Sequence, residues 1–461
     1  MIFLPILALV FALSPGTTAE PVHAKPTPEK PARAAKAEAK KRVITLEEAY
    51  DRVLATDQSI RTAYYGVRRA NLLPWSALAR LGPSLTGNAS YTGSQRRNTT
   101  EIAGLEGPVT TRENSHDRYA GFTLVQPLFD PTVAPAYRYG KLAAQAARLQ
   151  YRFTVRETLF GVAQAYYNVL KLQSLVEINQ QTVDLAKEQL GQAQNRFEVG
   201  DVARLDVIRA EASMEEARNN LIQTQGTLEI NLDILSNILN YGGKTDFVLA
   251  EPPEAADPQT AIEGALEKAF SLREDYKISA IAVDQEKARR QEILAGYAPR
   301  VSAQASTQWT NSSGSGSGER QVTTGVLSVQ LPFLTGGQRE IDLRAAGHLI
   351  EESKLQLENA GKTIEADTRN AWIQVRTARE AIEALRAQVE AATKNYEDVQ
   401  SFYETGASTS LDVQVALREL NNSRALLSNE LYNYQIALRD LERAQALFED
   451  ARVKKKAAAT P

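Results

Sequence analysis

The 461-residue sequence predicts a mainly α chain with a membrane β component: two long antiparallel helical hairpins, each preceded by two strands that belong in a barrel. Three observations predict it. The stretch from Arg196-Phe197-Glu198-Val199-Gly200-Asp201 to Leu205-Asp206-Val207 returns 206 positions later as Phe402-Tyr403-Glu404-Thr405-Gly406-Ala407 to Leu411-Asp412-Val413. Ala165, Val183, Arg218, Leu221, Leu232 and Leu235 find identical partners at the same offset, so the chain is an internal duplication. Runs from about 135 to 197 and from about 339 to 403 carry no proline after their start; at 1.5 Å per residue each extends on the order of 90 Å. Ahead of each run lie two stretches that alternate with period two.

Residues 1–19 are apolar at Ile2-Phe3-Leu4 and from Ile6 to Leu13, break at Pro15-Gly16 and end small at Thr17-Thr18-Ala19. This is an export-signal pattern, although no Lys or Arg precedes the apolar run. Residues 20–42, built of Pro, Ala and Lys, read as a flexible leader. The first structural repeat spans 43–240. Thr45-Leu46-Glu47-Glu48 opens a helix with a capping box, and the helical pattern runs to about Leu78. Strands follow at about 83–92 and 118–129, separated by a polar loop. In the first, Leu85, Gly87, Ala89 and Tyr91 face one way, and Ser84, Thr86, Asn88 and Ser90 the other.

A helical hairpin at about 135–240 completes this repeat, with its tip at 199–205. A linker at 241–258 leads to the second repeat, 259–447. There, strands at about 299–309 and 321–333 flank a Gly/Ser loop, and the hairpin at about 339–447 has its tip at 405–411. A basic, disordered tail is expected at 448–461. The four strands suit a barrel facing lipid outside and water inside; a soluble hairpin under amphipathic helices is the alternative. Four strands cannot close a barrel alone, and an open edge in lipid leaves backbone groups unsatisfied. In a membrane, therefore, chains must pool strands.

Near the tips the apolar spacing becomes a heptad seam: Ile382, Leu385, Val389, Ala392, Tyr396, Val399 and Tyr403 step 3, 4, 3, 4, 3, 4. Gly200 and Gly406 can take the left-handed conformation that ends a helix. Asp206 and Asp412 lie in the first turn of the returning helices. Each either complements the helix dipole or contributes to a charged ring at a pore mouth.

The signal pattern, the Thr45-Leu46-Glu47-Glu48-Ala49 helix start, the paired strands and the duplicated Phe/Tyr-x-x-Gly-x-x-x-x-Leu-Asp-Val turn together resemble the outer-membrane efflux protein family of TolC type over about residues 43–447. The resemblance implies a homotrimer in the outer membrane, extending into the periplasm. Twelve strands would form one barrel in outer-membrane lipid, and twelve helices would continue it as a tunnel. The implied partners are a periplasmic adaptor and an inner-membrane pump, and the function is that of an exit duct for efflux or type I secretion. Asp412 and Tyr403 correspond to the periplasmic gate, and Asp206 is the repeat-equivalent aspartate. Val199, Gly200, Asp201, Thr405, Gly406 and Ala407 correspond to the tips that meet the adaptor. Two positions depart from the family pattern: Val415 stands where a second carboxylate is expected, and Ser408 where a basic residue is.

Other classes find little support. With 53 basic against 56 acidic side chains, nothing draws the chain to nucleic acid. There is no cysteine, and His23, His116 and His348 show no ligand spacing, so neither a metal nor another cofactor is expected. No P-loop or nucleophile elbow occurs, and no enzymatic activity is expected. A periplasmic coiled-coil adaptor or scaffold is the rival reading; it leaves the four alternating strands unexplained.

Overall fold

The computed structural model describes residues 42–100, 107–243, 247–251, 261–313 and 318–447. The expected signal segment, all of the leader before Arg42, the tail from 448, and parts of the linker and of the Gly/Ser loop lie outside the described residues.

The chain opens with β1 (Arg42–Ile44) and α1 (Leu46–Thr56), whose cap Thr45 accepts from the Glu48 amide at 3.2 Å. The helical pattern expected to about Leu78 is broken twice. Asp57 ends α1 and caps α2 (Gln58–Ala70) through the Ile60 amide at 2.9 Å, and a turn then separates α2 from α3 (Leu73–Ala79). Next come β2 (Ser84–Thr100), β3 (Val109–Phe129), α4 (Val133–Glu198) and α5 (Arg204–Ile238). The second half consists of β4 (Phe247–Leu249), α6 (Ile262–Leu272), α7 (Glu274–Ala295), β5 (Arg300–Ser313), β6 (Gly318–Gln330), α8 (Gln338–Glu404) and α9 (Ser410–Ala444).

The four long strands form one antiparallel sheet in the order β2-β3-β5-β6. Register places Leu85 beside Leu124, Leu124 beside Ala305, and Ala303 beside Leu327, so one face is an apolar band. On it Phe122 meets Trp309 edge to face, with ring centroids 6.2 Å apart. The opposite face is hydroxyl-rich, with the Ser302 and Ser328 hydroxyls 2.8 Å apart. β2 and β3 are longer than the alternation of apolar residues indicated. Residues 93–100 and 109–117, expected as loop, continue the ladder to Thr100–Val109, whereas β3–β5 pairing stops at His116–Ser313. A polar hairpin thus projects beyond the four-stranded sheet. At the other end β6 stops at Gln330, before Pro332, rather than reaching Phe333.

The helices are unequal. α4 has 66 residues and α8 has 67, whereas α5 and α9 have 35 each. The long pair therefore runs about 100 Å from the sheet to the tips. The returning helices stop about halfway, and α7 takes up the course between α4 and α8 toward the sheet. Where α3 crosses α4, Gly140 makes the contact possible: a Cβ there would lie 2.7 Å from the Pro74 nitrogen and 2.9 Å from the Leu73 carbonyl carbon.

At mid-height, β1 and β4 pair in parallel, Val43 beside Val248, so the expected linker contains a strand. Strands of three residues show no periodicity, which is why the sequence does not announce them. Tyr166 holds them: its hydroxyl donates toward the Ile44 carbonyl at 2.9 Å and the Ala250 carbonyl at 2.6 Å, and burial pushes its pKa up to about 12. Leu159, Val162, Tyr167, Val169, Leu235 and Leu239 close around this point with almost no exposure, each aliphatic side chain contributing about 1.5–3 kcal/mol. Arg52 caps the end of α5, donating to the Leu239 carbonyl at 2.7 Å with its guanidinium 3.6 Å from the Tyr241 ring centroid. Arg156 of α4 and Glu274 of α7 form a buried ion pair beside this core.

Candidate functional site

Both hairpin tips are closed by the same backbone device. The Gly200 amide bonds to the Phe197 carbonyl at 2.9 Å and the Asp201 amide to the Arg196 carbonyl at 2.8 Å; Gly406 and Ala407 repeat this with Tyr403 and Phe402 at 3.1 and 2.7 Å. These are Schellman turns, which need a left-handed residue, and φ is +84° at Gly200 and +78° at Gly406. Nothing lies within 4 Å of the Cβ position at either glycine, so backbone conformation rather than space demands it. Val199, Asp201, Thr405 and Ala407 are exposed around them.

The side chains make the two tips different. Thr409 begins α9 with a capping box: Asp412 accepts from the Thr409 amide at 2.9 Å and from its hydroxyl at 2.6 Å, while the Asp412 amide bonds to Thr409 Oγ1 at 3.3 Å. The Thr409 hydroxyl, followed by its amide, holds the exposed Asp412 carboxyl below its ordinary value. The equivalent cap of α5 is Ala203, which offers no hydroxyl, so Asp206 is not held by its own helix start. Asp206 instead receives the Ser410 hydroxyl at 2.5 Å, reaching from the first hairpin to the second. Two aspartates that look alike in sequence thus do different work: Asp412 serves its own helix, Asp206 its neighbour.

Arg196 makes the stronger bridge. Its guanidinium donates to the Tyr403 carbonyl at 2.7 Å, lies 4.7 Å from the centroid of the Tyr403 ring, and is oriented by Asp201 at 2.6–2.7 Å. The Asp201 hydrogen bond, ahead of its charge, raises the arginine pKa further above its ordinary value. Tyr403 and Asp412, which the resemblance places together at the gate, share no hydrogen bond among the described residues. Tyr403 is buried against Val413, Ala416 and Leu417, and Asp412 faces outward. Ser408 turns back to the Val399 carbonyl at 2.9 Å. Sequence reading missed Arg196 and Ser410. Their available signal was the break in the repeat, since Arg196 stands opposite Phe402. Further up, Gln189 donates to the Tyr396 hydroxyl at 3.1 Å, and Ala186, Ala217, Leu417 and Leu420 pack the two hairpins together. Among the described residues no group of His, Asp or Glu comes together to hold a metal.

An unclosed sheet with an apolar face, continued by hairpins pinned at their tips, defines the wall segment of a tubular channel. The chain belongs to the outer membrane efflux protein family, whose profile matches residues 49–241 and 264–446. It is similar to the Outer membrane protein TolC of Escherichia coli (strain K12), 26% identical over 339 residues that cover 70% of this chain and 68% of that one. It also resembles the Alkaline protease secretion protein AprF of Pseudomonas aeruginosa, 23% identical over 349 residues covering 70% and 68%. In fold it matches the outer-membrane channel OprN with a TM-score of 0.72 at 18% identity, covering 87% of this chain and 89% of that chain. The Campylobacter jejuni CmeC outer membrane channel gives 0.74 at 18% identity, with 90% and 88% covered. The protein is an outer-membrane efflux channel, with its sheet in the outer membrane and its helices extending into the periplasm.

Proposed function

We propose that three copies of this chain pool their sheets into a twelve-stranded barrel and their hairpins into one tunnel, forming a passive exit duct that an adaptor opens. The observation that carries this reading is the sheet itself. Its outward face is apolar, yet the outer edges of β2 and β6 have no partner strand among the described residues. Such edges cannot remain open in lipid, and joining β6 of one copy to β2 of the next satisfies both. Outer-membrane lipid is then the solvent of the apolar band.

At the periplasmic end, the tips formed by Val199, Gly200, Asp201, Thr405, Gly406 and Ala407 are the surfaces a periplasmic adaptor would engage. The gate comprises Tyr403, held by Arg196, and the aspartates Asp206 and Asp412. Separating the tips breaks the Arg196–Tyr403 and Ser410–Asp206 contacts and widens the entrance. Substrate then passes through water without reaction, driven by an inner-membrane pump. Conductance in planar lipid bilayers tests this: a trimer with low conductance that rises when the tip contacts are removed supports the reading, and a non-conducting monomer overturns it. In the same apparatus Asp412→Asn should weaken block by multivalent cations; unchanged block would leave Asp412 as a capping residue alone.

A further inference from the structure

The two faces of the projecting β2–β3 hairpin treat charge in opposite ways. Residues directly paired across an antiparallel ladder share a face. On the inward face Arg96 stands beside Glu113, an opposite-charge pair. On the outward face, which carries Leu85, Phe122 and Leu124 lower down, Arg97 stands directly beside Arg112. Like charges directly opposite destabilise a ladder unless an anion lies between them, and among the described residues neither arginine has an ion-pair partner.

A second feature lies below this pair on the same face. Arg118, Asn311 and Glu319 form one outward rung, and Ala120, Trp309 and Gln321 the next. Between them is an open groove of about 470 Å³. Small Ala120 leaves the space, Trp309 walls it, and Asn311 donates to Glu319 at 3.0 Å, turning that carboxylate to a partner within the rung. The groove sits at the upper limit of the apolar band, which runs from Val301 and Val329 up to Trp309. From Arg118 to Arg112 is six residues, roughly 20 Å along the strand and about 15 Å in height at a 40° tilt.

We propose that this face binds the phosphorylated glycolipid of the outer leaflet at two heights. Arg118 beside Trp309 takes a phosphate of the acylated headgroup, and the Arg97–Arg112 pair takes an anionic group of the core sugars above it. The apolar band beneath accepts the acyl chains, so the three tiers of the protein face match the three tiers of one amphiphile. Planar guanidinium pairs suit phosphate because each presents a fork of donors. The anion between Arg97 and Arg112 removes the repulsion that the bare ladder carries. The inference goes beyond the duct reading and rests only on this face lying in the outer leaflet; it would survive a failure of the proposed gate.

The test uses the full chain purified in detergent and titrated with fluorescently labelled rough lipopolysaccharide. R97S/R112S should weaken binding about thirtyfold, and Arg118→Gln should weaken binding of the acylated bisphosphorylated headgroup alone about fivefold. Arg96→Ser, on the inward face of the same hairpin, should change neither. Wild type should bind the dephosphorylated lipid more weakly than R97S/R112S binds the intact one, because Arg118 then loses its phosphate as well. An excess of inorganic phosphate should not displace the lipid; displacement would assign the arginines to a free anion and overturn the lipid assignment. Unchanged affinity in R97S/R112S, or equal binding of phosphorylated and dephosphorylated lipid by wild type, overturns the proposal. Should R97S/R112S fail to assemble, the dephosphorylation comparison on wild type decides.

Discussion

Replacing Arg196 by alanine removes the main polar link between the two hairpin tips, and its effect can be worked from the contacts. The bond to the Tyr403 carbonyl is 2.7 Å long, charge-assisted and partly buried, worth about 1.5 kcal/mol at the lower end for such bonds. The guanidinium 4.7 Å from the Tyr403 ring centroid adds about 0.5–1 kcal/mol. The Asp201 pair lies within one tip and is largely exposed, so it orients the guanidinium and adds little to the link. The tips should therefore lose about 2–2.5 kcal/mol of attachment per chain, shifting the balance between joined and separated tips by roughly 30- to 60-fold. Single-channel recording should show R196A spending far more time at high conductance. Arg196→Lys, which keeps charge but loses the planar fork, should fall between it and wild type. Arg218→Ala, which removes an exposed guanidinium that among the described residues pairs only with Glu215 on its own helix, serves as the control and should match wild type. If R196A assembles normally and its conductance is indistinguishable from wild type, the bridge does not hold the entrance shut.

Other consequences follow from particular contacts. Gly140→Ala places a methyl against the backbone of Leu73 and Pro74, and overpacking of this kind should cost about 1–3 kcal/mol, seen as a lower urea midpoint and faster proteolysis around α3. Tyr166→Phe leaves the Ile44 and Ala250 carbonyls without their donor and should destabilise the mid-height core by about 1–2 kcal/mol, measured by chemical denaturation. Asp275 is desolvated, which raises its pKa, but the hydrogen bonds and charge of Arg273 outweigh this and hold it below 3.8. Because the folded pKa is depressed, its stabilising contribution is present above pH 3.8 and lost as pH falls through the lower folded value. Thermal melts at decreasing pH should show that loss in wild type and not in D275N.

Much of the architecture was legible because its signals are local. The Gly200 and Gly406 turns, the proline-free runs and the heptad seam each declare a helix or its end without reference to distant residues. The strands were legible only where apolar and polar residues alternate. Residues 93–100 and 109–117 are polar on both faces, so period two leaves no hydrophobic trace, and only cross-strand pairing makes them strand. The three-residue pair β1–β4 is fixed by Tyr166, which lies 122 residues after Ile44 and 84 before Ala250, and no window of sequence contains that relation. At the tips, the unlike roles of Asp206 and Asp412 were written in Ala203 against Thr409. The reach of Arg196 to Tyr403 was not, because it depends on how one repeat packs upon the other.

The unequal lengths of the paired helices have a mechanical meaning. Only α4 and α8 run unbroken from the foot of the sheet to the tips, whereas α5 and α9 end about halfway, leaving roughly 45 Å of each long helix to be accompanied by other segments. Each chain therefore contains two continuous rods among jointed ones. A load applied at Gly200 or Gly406 therefore has a continuous helical path along them to Val133 and Gln338 at the base of the sheet, whereas along α5 and α9 the helical path ends at mid-height.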